Sequence, residues 1–599
     1  MTKIERERER ENGSSYNCLR DKWEVWIVLI FAFLYYASYY RSGLNLGGEG
    51  GTVGVIAMRL LEGQKPIVDT FLGYNVLWFY PIAWLFEIFG PYFLVIKIYF
   101  FSLCTITALL ATFLVRRATG SSVLAAGTGL LLVLIPGMQF RNYLPFLAVL
   151  NMVTLSQAFV FPHKGYWQRG IWMILAGLAL GLTYLIRIDL GHLMTVLVLA
   201  LLLVFPWSTA LGPFRGWGMG LGGVLTIGIF AVALHIPMLW YAHQRGFQQQ
   251  FLGQYEGWAN YIKSQAGEQI YNNFKQMCRI PPRQIKEPGS VPVTTATTAA
   301  QKDTQATLSR PSVSDVIQDK SVRRMFAWIV YFPIPIAILI FVGMGALWLV
   351  SALKRNFEEC QRTLGILVAL GCALTLFPQY FFFRPDTPHV SEFMVPFVVT
   401  MVLACTQAAR MVQRSGRALT WGYTLILFFF CIPDVVAHVS NGLRRESSGS
   451  FAARHHRNME FVASNGVRVL VNPEEFSDLH GLYSAIVDHS KPTDWLICYP
   501  YSPTINFMTN RRSYEYNLYT DNATGGKKFD SVTIEKILRF RPAVIVISNN
   551  PINRNEFSCF KNWAAPTYEF IKDHYKLVGV YGSHEVYAWK KDSPTPRKE

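Results

Sequence analysis

The chain has 599 residues, 51% of them apolar and only 16% charged, with a mean hydropathy of +0.23, a balance that excludes an ordinary soluble domain and makes the bilayer its main solvent. The net charge of +17 does not signal nucleic acid, because Lys and Arg stand in short clusters beside apolar windows rather than on one basic face. Nine cysteines lie scattered without CxxC or zinc-like spacing, so neither a metal cluster nor a disulfide framework is expected, and Cys498 with Cys559 is the one candidate pair.

Residues 1–22 form a charged tail containing Glu-Arg alternation. With no small-residue cleavage site it reads as a solvated segment ahead of a retained anchor. Apolar windows then recur with almost no charge, long enough at about 1.5 Å per residue to cross the hydrocarbon core. Trp23–Tyr40, Trp217–Tyr241 and Phe326–Leu353 are examples. About eleven spans are predicted: 23–40, 92–115, 122–140, 143–161, 170–186, 190–206, 217–241, 326–353, 363–383, 391–409 and 418–436. Between the first two, the amphipathic stretch Asn75–Gly90 is placed at the interface. That choice puts Arg116, Arg117, Lys164, Arg169, Arg215, Lys354, Arg355, Arg362, Arg410, Arg414 and Arg417 on the cytoplasmic side, as the positive-inside rule requires. A full span there would flip them outside.

Three external segments follow from this parity: 41–91, 242–325 and everything after about 437. Pro281–Ser314 is rich in Pro, Thr, Ala and Ser and reads as a mobile loop too polar to bury a core. Over 450–599 short β-rich runs alternate with helical ones. Val467–Val471, Trp495–Tyr499, Ala543–Ser548 and Val578–Tyr581 are the expected strands, and Pro473–Asp488, Val532–Arg539 and Ala565–His574 the expected helices. The fold class expected is therefore an α-helical polytopic membrane protein (23–436) with a small extracytoplasmic α/β domain and a partly parallel sheet.

Chemistry is most legible in the first external segment. Gly47-Gly48-Glu49-Gly50-Gly51 precedes a helix-like run Val53–Glu62, then Gly63-Gln64-Lys65-Pro66-Ile67-Val68-Asp69 and the interfacial helix up to Phe89-Gly90. Two carboxylates, Glu49 and Asp69, thus flank an amphipathic helix at the membrane surface. Sugar transfer to a hydroxyl or amine needs a carboxylate to accept the acceptor's proton and groups to neutralise the leaving phosphate. Taken alone, Glu49 reads equally as a solvated acid in a Gly-rich turn and Asp69 as a cap.

The order Glu49, Leu61-Glu62-Gly63, Pro66, Asp69, Pro81 and Phe89-Gly90 resembles the first periplasmic or luminal loop of the GT-C glycosyltransferase superfamily, which includes protein O-mannosyltransferases, the lipid A aminoarabinose transferase and bacterial relatives. The likeness covers roughly residues 23–190. Members often carry an acidic pair where this chain has Gly48-Glu49. The resemblance implies a GT-C-like bundle with interfacial helices in the first loop. It also implies Glu49 as base or acceptor-orienting group, and Asp69 in the acceptor or metal neighbourhood.

Two further constellations interrupt apolar sequence. Phe383-Arg384-Pro385-Asp386-Thr387-Pro388-His389 lies between two predicted spans. Arg384 can bind a lipid phosphate bidentately, His389 can donate to a phosphate or sugar hydroxyl, and the plainer alternative is an Arg384–Asp386 pair ending two helices. Arg187-Ile188-Asp189 sits between spans five and six, where charges are costly and face a cavity or each other. Arg141 and His235 fall near the same face. In the external domain Tyr499-Pro500-Tyr501-Ser502-Pro503 and Asn510-Arg511-Arg512 could line a carbohydrate surface or simply pack a loop. Asn522-Ala523-Thr524 fits the N-glycosylation pattern. No P-loop, dinucleotide fingerprint, nucleophile elbow or HExxH occurs.

The function expected is an inverting membrane glycosyltransferase, with a polyprenyl-phosphate sugar as donor and a glycan, lipid or protein as acceptor. Membrane lipids are partners, nucleic acid is not, and a divalent cation is left open. A polysaccharide polymerase or ligase is the nearest alternative. A transporter lacks an internal repeat and midplane charges, and a non-catalytic scaffold is the third. The absence of a retention motif points to a bacterial inner membrane with the C-terminal domain outside.

Overall fold

The structure, a computed structural model, describes residues 22–41, 44–135, 139–163, 165–209, 213–261, 331–383, 387–444, 459–520, 528–550 and 559–590. Every predicted span coincides with a helix. These are α1 (Trp23–Tyr39), α4 (Phe93–Thr119), α5 (Ser122–Val133), α6 (Tyr143–Leu155, extended by a π-helical turn Ser156–Val160), α7 (Tyr166–Ile186), α8 (Ile188–Val204), α9 with α10 (Pro213–Ala233 and His235–Arg245), α12 (Pro333–Leu353), α13 (Phe357–Leu374), α14 (Thr387–Ser415) and α15 (Ala418–Arg444). Among the described residues eight helical stretches are long and apolar enough to cross a membrane by themselves. Helix α1 has 17 residues and α5 only 12. Helix α5 covers about 18 Å, short of the predicted 122–140, because Pro136 ends the helical stretch ahead of it.

The first loop holds a π-helix, Glu49–Val55, running into α2 (Ile56–Leu61), then a 3-10 turn, Val76–Trp78, and α3 (Tyr80–Phe89). With 10 residues, α3 is too short to span, as its interfacial assignment requires. Trp84, Ile88 and Phe89 are exposed on it, suiting a helix lying in a headgroup layer. The segment after 242 begins helically: α10 continues to Arg245 and α11 covers Gln248–Tyr261. Pro281–Ser314 lies outside the described residues.

The C-terminal domain contains a hairpin and a four-stranded sheet. Strands β1 (Met459–Val462) and β2 (Arg468–Val471) pair antiparallel across Asn465-Gly466, both at positive φ, the backbone a tight type I′ hairpin turn demands. The larger sheet has the order β3 (Leu496–Tyr499), β4 (Val544–Ser548), β6 (His584–Trp589), β5 (Tyr575–Tyr581). Strands β3 and β4 are parallel and the other pairs antiparallel. Every residue of β4 is buried, as expected for an apolar run covered on both faces. Helices α16 (Pro473–His489), α17 (Thr504–Thr509), α18 (Phe529–Phe540), α19 (Phe560–Trp563) and α20 (Ala565–His574) complete the domain. The Cys498–Cys559 pair does not form: neither is in a disulfide, and the Cys559 thiol donates to the Asn549 carbonyl.

This domain is clamped to the first loop. Helix α17 lies on the π-helix Glu49–Val55 so closely that a Cβ at Gly51 would stand 2.4 Å from Pro503 Cγ and 2.5 Å from the Thr504 nitrogen, and one at Gly54 2.7 Å from the Phe507 ring. The Gly-rich run is thus a docking surface. The Thr504 nitrogen donates to Leu46 O at 2.9 Å and Tyr501 Oη meets Thr52 Oγ1 at 2.6 Å. Arg59, buried in α2, donates to the carbonyls of Glu515 and Ser513 and to Thr70 Oγ1. Burial pushes its guanidinium down to about 10, partly offset by Glu515 and Glu62, so it stays charged at neutral pH. A Gly51→Val change is expected to weaken this junction by about 2 kcal/mol or more, an overpacking cost, seen as a lower melting temperature at unchanged far-UV helicity.

Candidate active site at the sheet-bearing end of the bundle

The 3-10 turn Gln139–Arg141 lies between α5 and α6 and packs against both α4 and the π-helix that Glu49 opens. Its Arg141 is 5% exposed. The Arg141 Nε lies 3.0 Å from Glu392 Oε1, and its Nη1 lies 2.5 Å from His389 Nε2. Both partners belong to the first two turns of α14 and are buried. Arg141 Nη2 is buried too, with no hydrogen-bond partner among the described residues. Pairing makes these charges tolerable at low dielectric.

A second pair stands beside the first. Arg187, at the α7–α8 junction, grips Asp189 with Nε–Oδ1 2.5 Å and Nη2–Oδ2 3.0 Å, and Gln379 Nε2 donates to the same carboxylate at 2.5 Å. Burial alone would lower the Arg187 guanidinium, but Asp189 outweighs it and holds the charge, with Tyr74 and Glu392 adding to the effect. Arg187 Cζ sits 5.1 Å from the Tyr74 ring centre. Tyr74 stacks on Trp78 at 3.7 Å, and Trp78 packs on Tyr143 at 5.0 Å. This aromatic column ties the Arg187 pair to the turn that carries Arg141.

The predicted residues therefore separate into groups. His389, Arg187 and Asp189 come together around Arg141 and Glu392, and the backbone of Glu49 enters the same assembly through the π-helix. Asp69 sits apart on an exposed turn, where its Oδ2 accepts from Lys65 N at 2.6 Å and its own nitrogen donates to Lys65 O. Arg384, Asp386 and the Asn522 sequon lie outside the described residues. His235, opening α10, hydrogen-bonds the Ala231 carbonyl of α9 at 2.8 Å and packs on Tyr184 and Tyr255. The Tyr499–Pro503 and Asn510–Arg512 runs form no open sugar platform: Tyr499 is buried on Glu515, Tyr501 braces Thr52, Arg511 is buried on Ser490 and Thr509, and Arg512 pairs with Glu62.

Sequence reading missed Glu392, Lys97 and the Asp434–His438 pair. Lys97 is 3% exposed on the α4 face that also carries Ile96, against Gly54 of the π-helix, and Phe100, against Tyr143. That face places it between the Glu49 segment and the Arg141 turn. Asp434 and His438, fully buried in α15, are 3.6 Å apart. Lys97 is a lone ionisable residue within an apolar run, and Asp434 with His438 is a charged pair at i, i+4 in another, the signal that could have found them, whereas Glu392 follows the polar Arg384–His389 stretch. Among the described residues no three His, Cys, Asp or Glu side chains gather as a metal-ligand set.

An apolar bundle with a folded first loop, and an α/β domain docked on that loop, holds the buried ionic cluster. Two crystal structures are similar to the chain: ArnT from Cupriavidus metallidurans in the apo state, at 13% identity and a TM-score of 0.46 over 96% of this chain and 98% of that one, and ArnT from the same organism bound to undecaprenyl phosphate, at 13% identity and a TM-score of 0.50 over 96% and 99%. The likeness to the second establishes the fold. No family model and no curated protein matches the chain.

Proposed function

We propose that the protein is a glycosyltransferase that takes a sugar from a polyprenyl-phosphate donor and delivers it to an acceptor on the non-cytoplasmic face of the membrane. The observation that carries this proposal is the convergence of Arg141, His389, Glu392 and the Arg187–Asp189 pair beside the π-helix of Glu49, at the sheet-bearing end of a bundle with the ArnT fold. The solved ArnT holding undecaprenyl phosphate supports a lipid phosphate as the donor's leaving group. Basic clusters at the opposite end support a cytoplasmic placement for that end, and a bacterial inner membrane is the host we favour.

In the reaction, the donor slides from the bilayer so that its phosphate meets Arg141 Nη2, His389 and the Arg384 loop. Lys97 adds positive charge from below. The acceptor oxygen or nitrogen attacks the anomeric carbon from the face opposite the phosphate. The carbon–oxygen bond to phosphate breaks with inversion, its electron pair leaving on the lipid phosphate, and Glu49 takes the acceptor's proton. Asp189, locked between Arg187 and Gln379, fixes the neighbouring backbone rather than moving a proton. Asp69, outside the ionic cluster, belongs to the acceptor's path. Whether a divalent cation assists the phosphate is left to the same assay, run with and without chelator.

The test is consumption of radiolabelled polyprenyl-phosphate sugars by the full-length protein in nanodiscs, across a panel of donors and crude lipid and glycan acceptors. One donor consumed by wild type and spared by Glu49→Gln supports the proposal. A folded protein that consumes none, with every acceptor fraction present, would move a lipid-glycan polymerase or ligase ahead of it.

A further inference from the structure

The end of the bundle away from the sheet domain carries a second ionic cluster that the transferase chemistry does not use. Helix α4 starts beside the domain, where Phe93 N donates to Asn465 O, and its 27 residues reach about 40 Å to the far end. There Thr119 O accepts from Arg410 near the end of α14, whose Arg414 reaches Glu359 at the start of α13. Glu359, 6% exposed, is the keystone: it accepts from Gln407 Nε2 and from Arg414 Nη1 at 2.9 Å, with Arg362 Nη1 at 3.9 Å. Arg362 also pairs with the exposed Glu358. Arg410 donates to the last carbonyl of α4, Thr119 O, at 2.9 Å, and meets Arg362 and Arg414 as like charges.

Three guanidiniums thus crowd one buried carboxylate, and two of them remain open to the surroundings, Arg414 at 57% and Arg362 at 33% side-chain exposure. Glu359 alone does not balance them, and Glu358 points its charge at Arg362 only. The capped N-terminus of α13, where Asn356 Oδ1 accepts from Glu359 N, adds a positive helix end at the same spot. Lys354, Arg355, Arg116, Arg117 and Arg417 stand on the adjoining helix ends. Like-charged guanidiniums held together by structure rather than scattered are a ready anion site, and at the ends of three spans the anion on offer is a lipid headgroup phosphate.

We infer that the junction of α4, α13 and α14 binds the phosphate of an anionic phospholipid in the leaflet opposite the sheet domain. Arg362 and Arg414, the two exposed guanidiniums, grip the phosphate oxygens, with Arg410 adding positive charge behind them. The site is separate from the donor site, about a membrane thickness away, and holds whether or not the transferase proposal does.

Native mass spectrometry of the full-length protein, titrated with phosphatidylglycerol, phosphatidylcholine or inorganic phosphate, tests it. Wild type is expected to retain phosphatidylglycerol over phosphatidylcholine. Arg362→Gln with Arg414→Gln should bind it about 30-fold more weakly, at roughly a tenfold to hundredfold range for two basic groups at a membrane surface. Glu359→Gln, which removes a competing negative charge while its amide oxygen still accepts from Gln407 and Arg414, should bind it at least as tightly as wild type. Equal retention of both lipids by wild type, undiminished binding by the double variant, or saturation by inorganic phosphate alone overturns the assignment. Should the double variant misfold, the Glu359→Gln result decides: weaker phosphatidylglycerol binding there also overturns it.

Discussion

Glu49→Gln is expected to lower donor turnover by about 10²–10⁴-fold, the contribution of a positioned general base, with protein yield, melting temperature and donor binding unchanged. The amide keeps the shape and loses only the capacity to take a proton. Glu49 opens the π-helix Glu49–Val55, which is fixed on one side by α17 and on the other by the Arg141 turn, so the substitution has a rigid frame to act in. Asp69→Asn should behave differently. Its carboxylate already accepts from Lys65 N on an exposed turn, so the change is expected to raise KM for the acceptor several-fold and leave kcat near wild type. Single-turnover assays with saturating donor separate the two. If Asp69→Asn abolishes turnover while Glu49→Gln does not, the roles of the two acids are reversed.

Glu392→Ala is expected to destabilise the protein by about 3–5 kcal/mol, because it strands the buried Arg141 guanidinium without its carboxylate. Thermal unfolding in detergent reads this directly. Arg141→Met should cost comparably by stranding Glu392. The pair Arg141→Met with Glu392→Met removes both charges together and should recover most of the lost stability. Recovery of stability without recovery of donor affinity would assign Arg141 to phosphate binding. Recovery of both would make the pair a structural tie and shift the phosphate to the Arg384 loop and Lys97.

Much of this architecture is legible in the sequence because the bilayer imposes long uniform apolar runs. Every predicted span coincides with a helix, and the basic flanks separate the interfacial Asn75–Gly90 stretch from a true crossing. Strand β1 escapes because four residues before a turn carry little periodicity, although Asn465-Gly466 marks the turn itself. Strand β6, His584–Trp589, mixes polar and aromatic residues and is defined by its neighbours β4 and β5. The site is only half legible. Arg187 and Asp189 stand two residues apart and announce each other, whereas Glu392 answers Arg141 from 251 positions along the chain. Gly47-Gly48-Glu49-Gly50-Gly51 draws the eye to the acid, yet Gly51 and its neighbours owe their size to Pro503 and Thr504. Local composition marks where chemistry is possible, and tertiary pairing decides which charges are used.

The seat of Glu49 is not finished until Thr504 and Phe507 have been made, some 450 residues after Glu49 itself leaves the ribosome. A nascent or truncated chain can insert its whole helical bundle and still hold its first loop unsupported. Biosynthesis therefore imposes an order on the molecule: insertion first, roofing second, competence last. A frameshift upstream of Thr504 therefore disables the far end of the chain and its beginning alike.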